Sequence, residues 1–162
     1  MGKAIFFQGE PQSMRFVSAY SLQEAWRGAP YILEFQVIAG EHGAVRLIVN
    51  EIPYTGPEAG LPMCLGMIPD PITGTRLRFR AIEAGPRSFV LADNLEYCRF
   101  SYLERLPLAG REEWLPDWTR RTWPFGVRVE LASTGAASDL RPVSFAAPIR
   151  IRRSTEIQYV DE

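Results

Sequence analysis

Few side chains in this chain are equipped for chemistry, and their spacing narrows the choice further. The only imidazole in 162 residues, His42, lies in Gly40-Glu41-His42-Gly43, a glycine-bounded link between two alternating segments. A general base must be buried or held by a partner, and a hairpin tip offers neither. With Cys64 and Cys98 the lone histidine falls short of a Cys₄ or His₃ metal set, and the two cysteines form no C-x-x-C pair. Glu112-Glu113 and Asp161-Glu162 are adjacent, and neighbours on extended chain point to opposite sides, so they make poor acid/base dyads. Asp93-Asn94-Glu96 lacks the alternation and central glycine of a calcium loop. No glycine-rich phosphate loop and no G-x-S-x-G elbow occurs. These residues imply no catalytic set, no metal site and no cofactor, and the expectation is that the chain is not an enzyme.

Binding chemistry has better candidates. Trp114, Trp118 and Trp123 fall among Arg111, Glu112, Glu113, Asp117, Arg120 and Arg121. Trp123 abuts a strand and is read as core, whereas Trp114 and Trp118 are open between core packing and contact. In the second case Trp114, Trp118, Arg120 and Arg121 would face a partner protein, or the two tryptophans would stack on a sugar. Arg76, Arg78 and Arg80 share a strand face; cross-strand pairing with Glu34, Glu96 or Glu130 is the favoured reading over an anion site. Cys64 and Cys98 are open between two fates. In an oxidising compartment a bond between them closes a loop worth about 4 kcal/mol in the chain-entropy model, and in a reducing one they are separate, inert thiols.

The elements that must position these residues are mostly strands. Leu33, Phe35 and Val37 alternate with Glu34 and Gln36. Val45, Leu47 and Val49 alternate with Arg46 and Asn50, Leu77, Phe79 and Ala81 with Arg76, Arg78 and Arg80, and Val127, Val129 and Leu131 with Arg128 and Glu130. Each reads as a half-exposed antiparallel strand. Met14–Ala19, Arg87–Ala92, Leu95–Leu103 and Val143–Arg152 are weaker candidates, the last moved to a sheet edge by Pro148. Ser21-x-x-Glu24 has the spacing of a capping box and predicts a short helix through Trp26. Ile52–Asp70 and Pro107–Trp123 read as long loops, the first because prolines and glycines crowd it. Composition agrees with one mainly β domain over 1–162: 46% apolar, 23% charged, 13 Gly and 13 Pro, with antiparallel sheets and at most one or two short helices. Seventeen of the eighteen basic residues are arginine, for which a coding bias is the plainer explanation, and the charge sum, 18 − 19 = −1, disfavours nucleic acid as a partner. No apolar run approaches the roughly 18 residues of a membrane span.

Read in order, several segments resemble the head of a J-type minor pseudopilin of type II secretion systems, in the prepilin-like superfamily. Phe7-Gln8-Gly9-Glu10-Pro11-Gln12-Ser13-Met14-Arg15-Phe16-Val17 is similar to that family's F-x-G-x-x-x-S-L-R-F-V, with methionine in the leucine position. Leu91–Leu103, ending Phe100-Ser101-Tyr102-Leu103, resembles L-L-x-x-V-x-x-L-x-F-x-Y-L. Trp114 and Trp118, the strand from Trp123 to Leu131, and Val143–Ile151 resemble the later segments. The resemblance implies an α+β full-length protein whose apolar N-terminal helix, with a Glu near its start, would precede Ala4 and provide its one link to the inner membrane. It further implies a periplasmic, non-enzymatic subunit near the tip of a pseudopilus, with I-type and K-type minor pseudopilins as partners. A periplasmic setting would favour the Cys64–Cys98 bond.

Overall fold

A computed structural model describes residues 7–71, 74–106, 110–118, 120, 122–135 and 141–150. Ten strands dominate them: β1 (Phe7–Gly9), β2 (Ser13–Ser21), β3 (Trp26–Ala39), β4 (Val45–Pro53), β5 (Cys64–Asp70), β6 (Gly74–Phe79), β7 (Phe89–Leu106), β8 (Arg111–Leu115), β9 (Gly126–Ser133) and β10 (Val143–Pro148). Glu41–Gly43 and Pro57–Met63 form short 3-10 turns, and no α-helix occurs among the described residues. None of their helices is long and apolar enough to cross a membrane. The mainly β, antiparallel fold expected from the alternation is the one observed.

The main sheet runs β1-β2-β3-β4-β7-β9-β10, with β8 also paired to β7, while β5 and β6 make a separate two-stranded arm. Arg87–Ala92 and Leu95–Leu103, read as two strands, fall on the single long strand β7 from Phe89 onward, with Arg87 and Ser88 just before it. Its first part pairs with β4 and its middle with β9. The sheet curls so that alternate residues of distant strands meet on its inner side. Phe7, Met14, Leu33, Phe35, Val37, Leu47, Val49, Phe100, Tyr102 and Val129 share one buried cluster. Aromatic rings link it across the strands, with centroids 6.1 Å apart for Phe7 and Phe16, 5.9 Å for Phe16 and Phe35, and 6.5 Å for Phe35 and Phe100.

Closure comes at a seam where the β1–β2 turn meets β7. Backbone N–H groups of Phe100 and Trp118 donate to Pro11 O and Gly9 O at 2.8 Å. The buried Tyr102 hydroxyl donates to Glu10 O at 2.8 Å and lies 3.1 Å from Ser13 O. Its ring lies directly over Gly9: a Cβ there would come 2.5 Å from the ring, so this position has room for glycine alone.

The helix expected after Ser21 is not formed, although its cap bond is. Glu24 N–H donates to Ser21 Oγ at 3.0 Å, but Ala25 then takes φ 52° and Trp26 returns to pair with Ser21. Glu51 of β4 supplies the reason. It accepts from Ser21 Oγ at 2.7 Å and from the N–H groups of Leu22 and Gln23, so the signature closes a hairpin. Ile52–Asp70 is likewise no loop throughout, since it holds the end of β4, a 3-10 turn and β5. Its prolines fall at the end of β4 (Pro53), in the 3-10 turn (Pro57 and Pro62) and near the end of β5 (Pro69).

Candidate interaction surface

Polar residues on the outer side of the sheet position the arm. Gln8, Arg15, Glu34 and Asn50 stand directly opposite one another on β1, β2, β3 and β4. Arg15 Nη1 donates to Gln8 Oε1 at 2.7 Å, Arg15 Nε to Glu34 Oε1 at 2.6 Å, and Asn50 Nδ2 to Glu34 Oε2 at 3.0 Å. Arg15 is fully buried and Glu34 is 4% exposed, which corrects the reading of Glu34 as a solvent-facing strand residue. A buried charge of this kind requires a partner and further hydrogen bonds.

The row finds those bonds in the chain that crosses above it. Arg15 Nη2 donates to Arg80 O and Asn50 Nδ2 to Glu83 O, each at 3.0 Å, and Ser88 Oγ bonds Asn50 Oδ1. Residues 80–88 are thereby pinned to the sheet, and β5 and β6 are held out from it. Phe79 lies 6.0 Å from the Arg15 guanidinium. Between arm and sheet is an open cleft of about 750 Å³ whose lining includes Glu10, Gln12, Gln36, Leu65, Arg78 and Phe79. Leu61, Leu65 and Met67 of the arm segment are each more than half exposed. Leu61 lies on the 3-10 turn that leads into β5, and Leu65 and Met67 lie two residues apart on β5 itself.

The second segment singled out from the sequence is folded inward. Pro107–Trp123 contains β8, which pairs Leu115 with Tyr102 and Trp114 with Leu103. Trp118 is 5% exposed, with Nε1 donating to Thr122 O, so it has no open face for a sugar ring and is a core residue. Trp114 is half-buried with the Arg128 guanidinium 4.0 Å from its ring centre. Trp123 packs on the core beside Phe7 at 5.3 Å, as expected. Arg120 pairs with Glu104 and stacks on Trp118. Arg121 lies outside the described residues. Of the four residues proposed for partner contact, the structure therefore brings Trp118 and Arg120 together as packing.

The arginines of β6 do not reach Glu34, Glu96 or Glu130. Glu34 is taken by Arg15, Glu130 stands opposite Arg99, and Arg76 lies 3.9 Å from Asp70. Arg78 borders the cleft, and Arg80 acts through its backbone, donating to Met63 O. His42 is exposed in its turn at φ 53°, as the glycine-bounded link implied. Cys64 and Cys98 are separate free thiols in this structure, Cys64 half-buried on the arm and Cys98 in the core. Desolvation pushes the Cys98 thiol up to about 11 and holds the Tyr102 phenol well above its ordinary range. Sequence reading missed the row of Gln8, Arg15, Glu34 and Asn50. Polar residues at outward positions of four strands look solvated until register aligns them. No family model, curated protein or solved structure matches the chain.

Proposed function

We propose that this chain is the head of a J-type minor pseudopilin, a non-enzymatic assembly subunit near the tip of a type II secretion pseudopilus. It would face the periplasm, be anchored in the inner membrane by an upstream helix, and contact I-type and K-type minor pseudopilins. What supports the reading is the seam. The two segments that most resemble the family, 7–17 and 91–103, are the two that meet there. Gly9 makes room for the Tyr102 ring, Phe100 bonds Pro11, Arg15 is fully buried in its ion pair, and Phe7 and Phe16 stack in the core. A fold closed in this way needs these residue types at these spacings. The projecting arm, with Leu61, Leu65 and Met67, supplies apolar surface suited to neighbours.

The test is reconstitution. The chain mixed with the heads of the I-type and K-type minor pseudopilins from its own genome should elute with them as one complex of summed mass by light scattering. Met67→Asp should weaken that complex about tenfold or more without lowering the unfolding midpoint. Separate elution of all three proteins at tens of micromolar would overturn the reading.

A further inference from the structure

The main sheet ends at β10, and no described strand lies beyond it. All six β10 residues are exposed. Their register with β9 is unbroken from Val143 opposite Leu131 to Pro148 opposite Gly126, and Ile149 N–H continues it by donating to Phe125 O at 3.0 Å. Bonded and non-bonded pairs alternate along an antiparallel ladder. Val143, Phe145, Ala147 and Ile149 therefore direct their backbone groups to β9, whereas Ser144 and Ala146 turn N–H and C=O outward. Pro148 falls in the outward set, so its missing N–H takes nothing from the ladder.

The side chains extend the same opening. Phe145 stands opposite Val129 and Val143 opposite Leu131, so both lie on the face that carries the core. Yet they are 53% and 46% exposed. The apolar inner face thus runs on past its last covered strand. No charge falls within Val143–Ala147, where edges are normally guarded by lysine or an inward charge. Exposed Arg141 and Arg150 bracket the strand, and Arg128 stands opposite Ala146.

We propose that β10 is a docking edge for an extended, acidic-ended segment of a partner protein, which adds to the sheet as a further strand. Its backbone bonds Ser144 and Ala146, its apolar side chains cover Val143 and Phe145, and its carboxylates meet Arg141 and Arg150. A second copy of this chain fits worse. Two β10 strands paired antiparallel about Phe145 would set Arg141 of each opposite Ile149 of the other, one residue from Arg150, so like charges gather at both ends. The inference does not depend on the assembly reading, since it concerns the edge whichever protein supplies the strand.

The probe is a short fluorescein-labelled peptide of alternating valine and threonine with one acidic residue at each end, compared with a twin ending in lysines. Anisotropy should rise with the acidic peptide and show about tenfold weaker binding of the twin. Ala146→Pro, which removes one outward N–H and spares the β9 ladder, should abolish binding with the unfolding midpoint unchanged. If that variant is destabilised, Phe145→Glu replaces it, repelling the peptide through the side chain alone. Equal binding by wild type and edge variant, equal binding of both peptides, or no binding at millimolar peptide would overturn the proposal. So would a dimer by light scattering that Ala146→Pro returns to monomer, because the occupant would then be a second copy.

Discussion

A thiol cut off from water keeps its proton, and Cys98 is such a group. Burial lifts it from an ordinary 9.0 to about 11. Above pH 9 the unfolded chain therefore sheds a proton that the folded chain retains, and stability falls as pH rises from 9 to 11, with no contribution below that window. Two pKa steps correspond to a loss of up to about 3 kcal/mol. Urea unfolding at pH 7, 9, 10 and 11 should show this decline, and Cys98→Val, a near-isosteric change, should reduce it. The decline should not vanish, because the buried Tyr102 phenol is shifted in the same direction and also resists ionisation in the fold. The same residue tests the state of the cysteines. In native protein at pH 8 a thiol reagent should modify Cys64 quickly and Cys98 only on unfolding. A product that reacts with no reagent and shows no free thiol by non-reducing mass would mean that the bond left open by the sequence forms after all.

Among the elements, β2, β3 and β4 hold the chain beside the arm through Arg15, Glu34 and Asn50, with the Arg15–Glu34 ion pair at the centre. Glu34→Gln leaves the fully buried Arg15 without its counter-charge and should cost about 3–5 kcal/mol, whereas Arg15→Met with Glu34→Leu should recover most of that loss. In both variants amide exchange across residues 80–88 should quicken, because Arg15 bonds Arg80 O in the parent. Unchanged exchange there would mean that the arm is held by its apolar contacts instead. The way these elements were or were not legible follows the same physics. Strands with one buried face betray themselves by alternation, and 33–37, 45–50 and 127–131 lie within β3, β4 and β9. Pro148 correctly marked an edge. Ser21-x-x-Glu24 was misread because a cap bond is local while the decision to continue a helix was taken by Glu51, thirty residues away. The arm was misread because breaker counting ignores pairing. β5 is stabilised by β6, whose arginines in turn face solvent and Asp70 instead of distant carboxylates.

At the scale of the whole molecule, the seam decides whether the sheet is an open ribbon or a closed body. Gly9→Ala drives a methyl into the Tyr102 ring and should cost about 1–3 kcal/mol. Tyr102→Phe keeps the ring but leaves Glu10 O without its donor, at a similar cost. Gly9→Ala combined with Tyr102→Leu should cost less than the sum, since the smaller side chain relieves the clash. Exchange protection should be lost first in β1, with the β3–β4 pairing preserved. Additive losses would place the two residues in independent roles. Gly9 and Tyr102 are fixed positions of the two segments that carry the resemblance, but neither pattern says that they meet, and only tertiary closure joins them. That closure also sets an order of events. Glu10 and Tyr102 are 92 residues apart in sequence, so β1 and β2 cannot complete their packing until β7 has formed. Contacts of such long range slow folding. Phe16 meets Phe35 within the β2–β3 pairing, but Phe7 finds the Tyr102 ring only when β7 arrives, so the inner side of β1 stays uncovered for the interval.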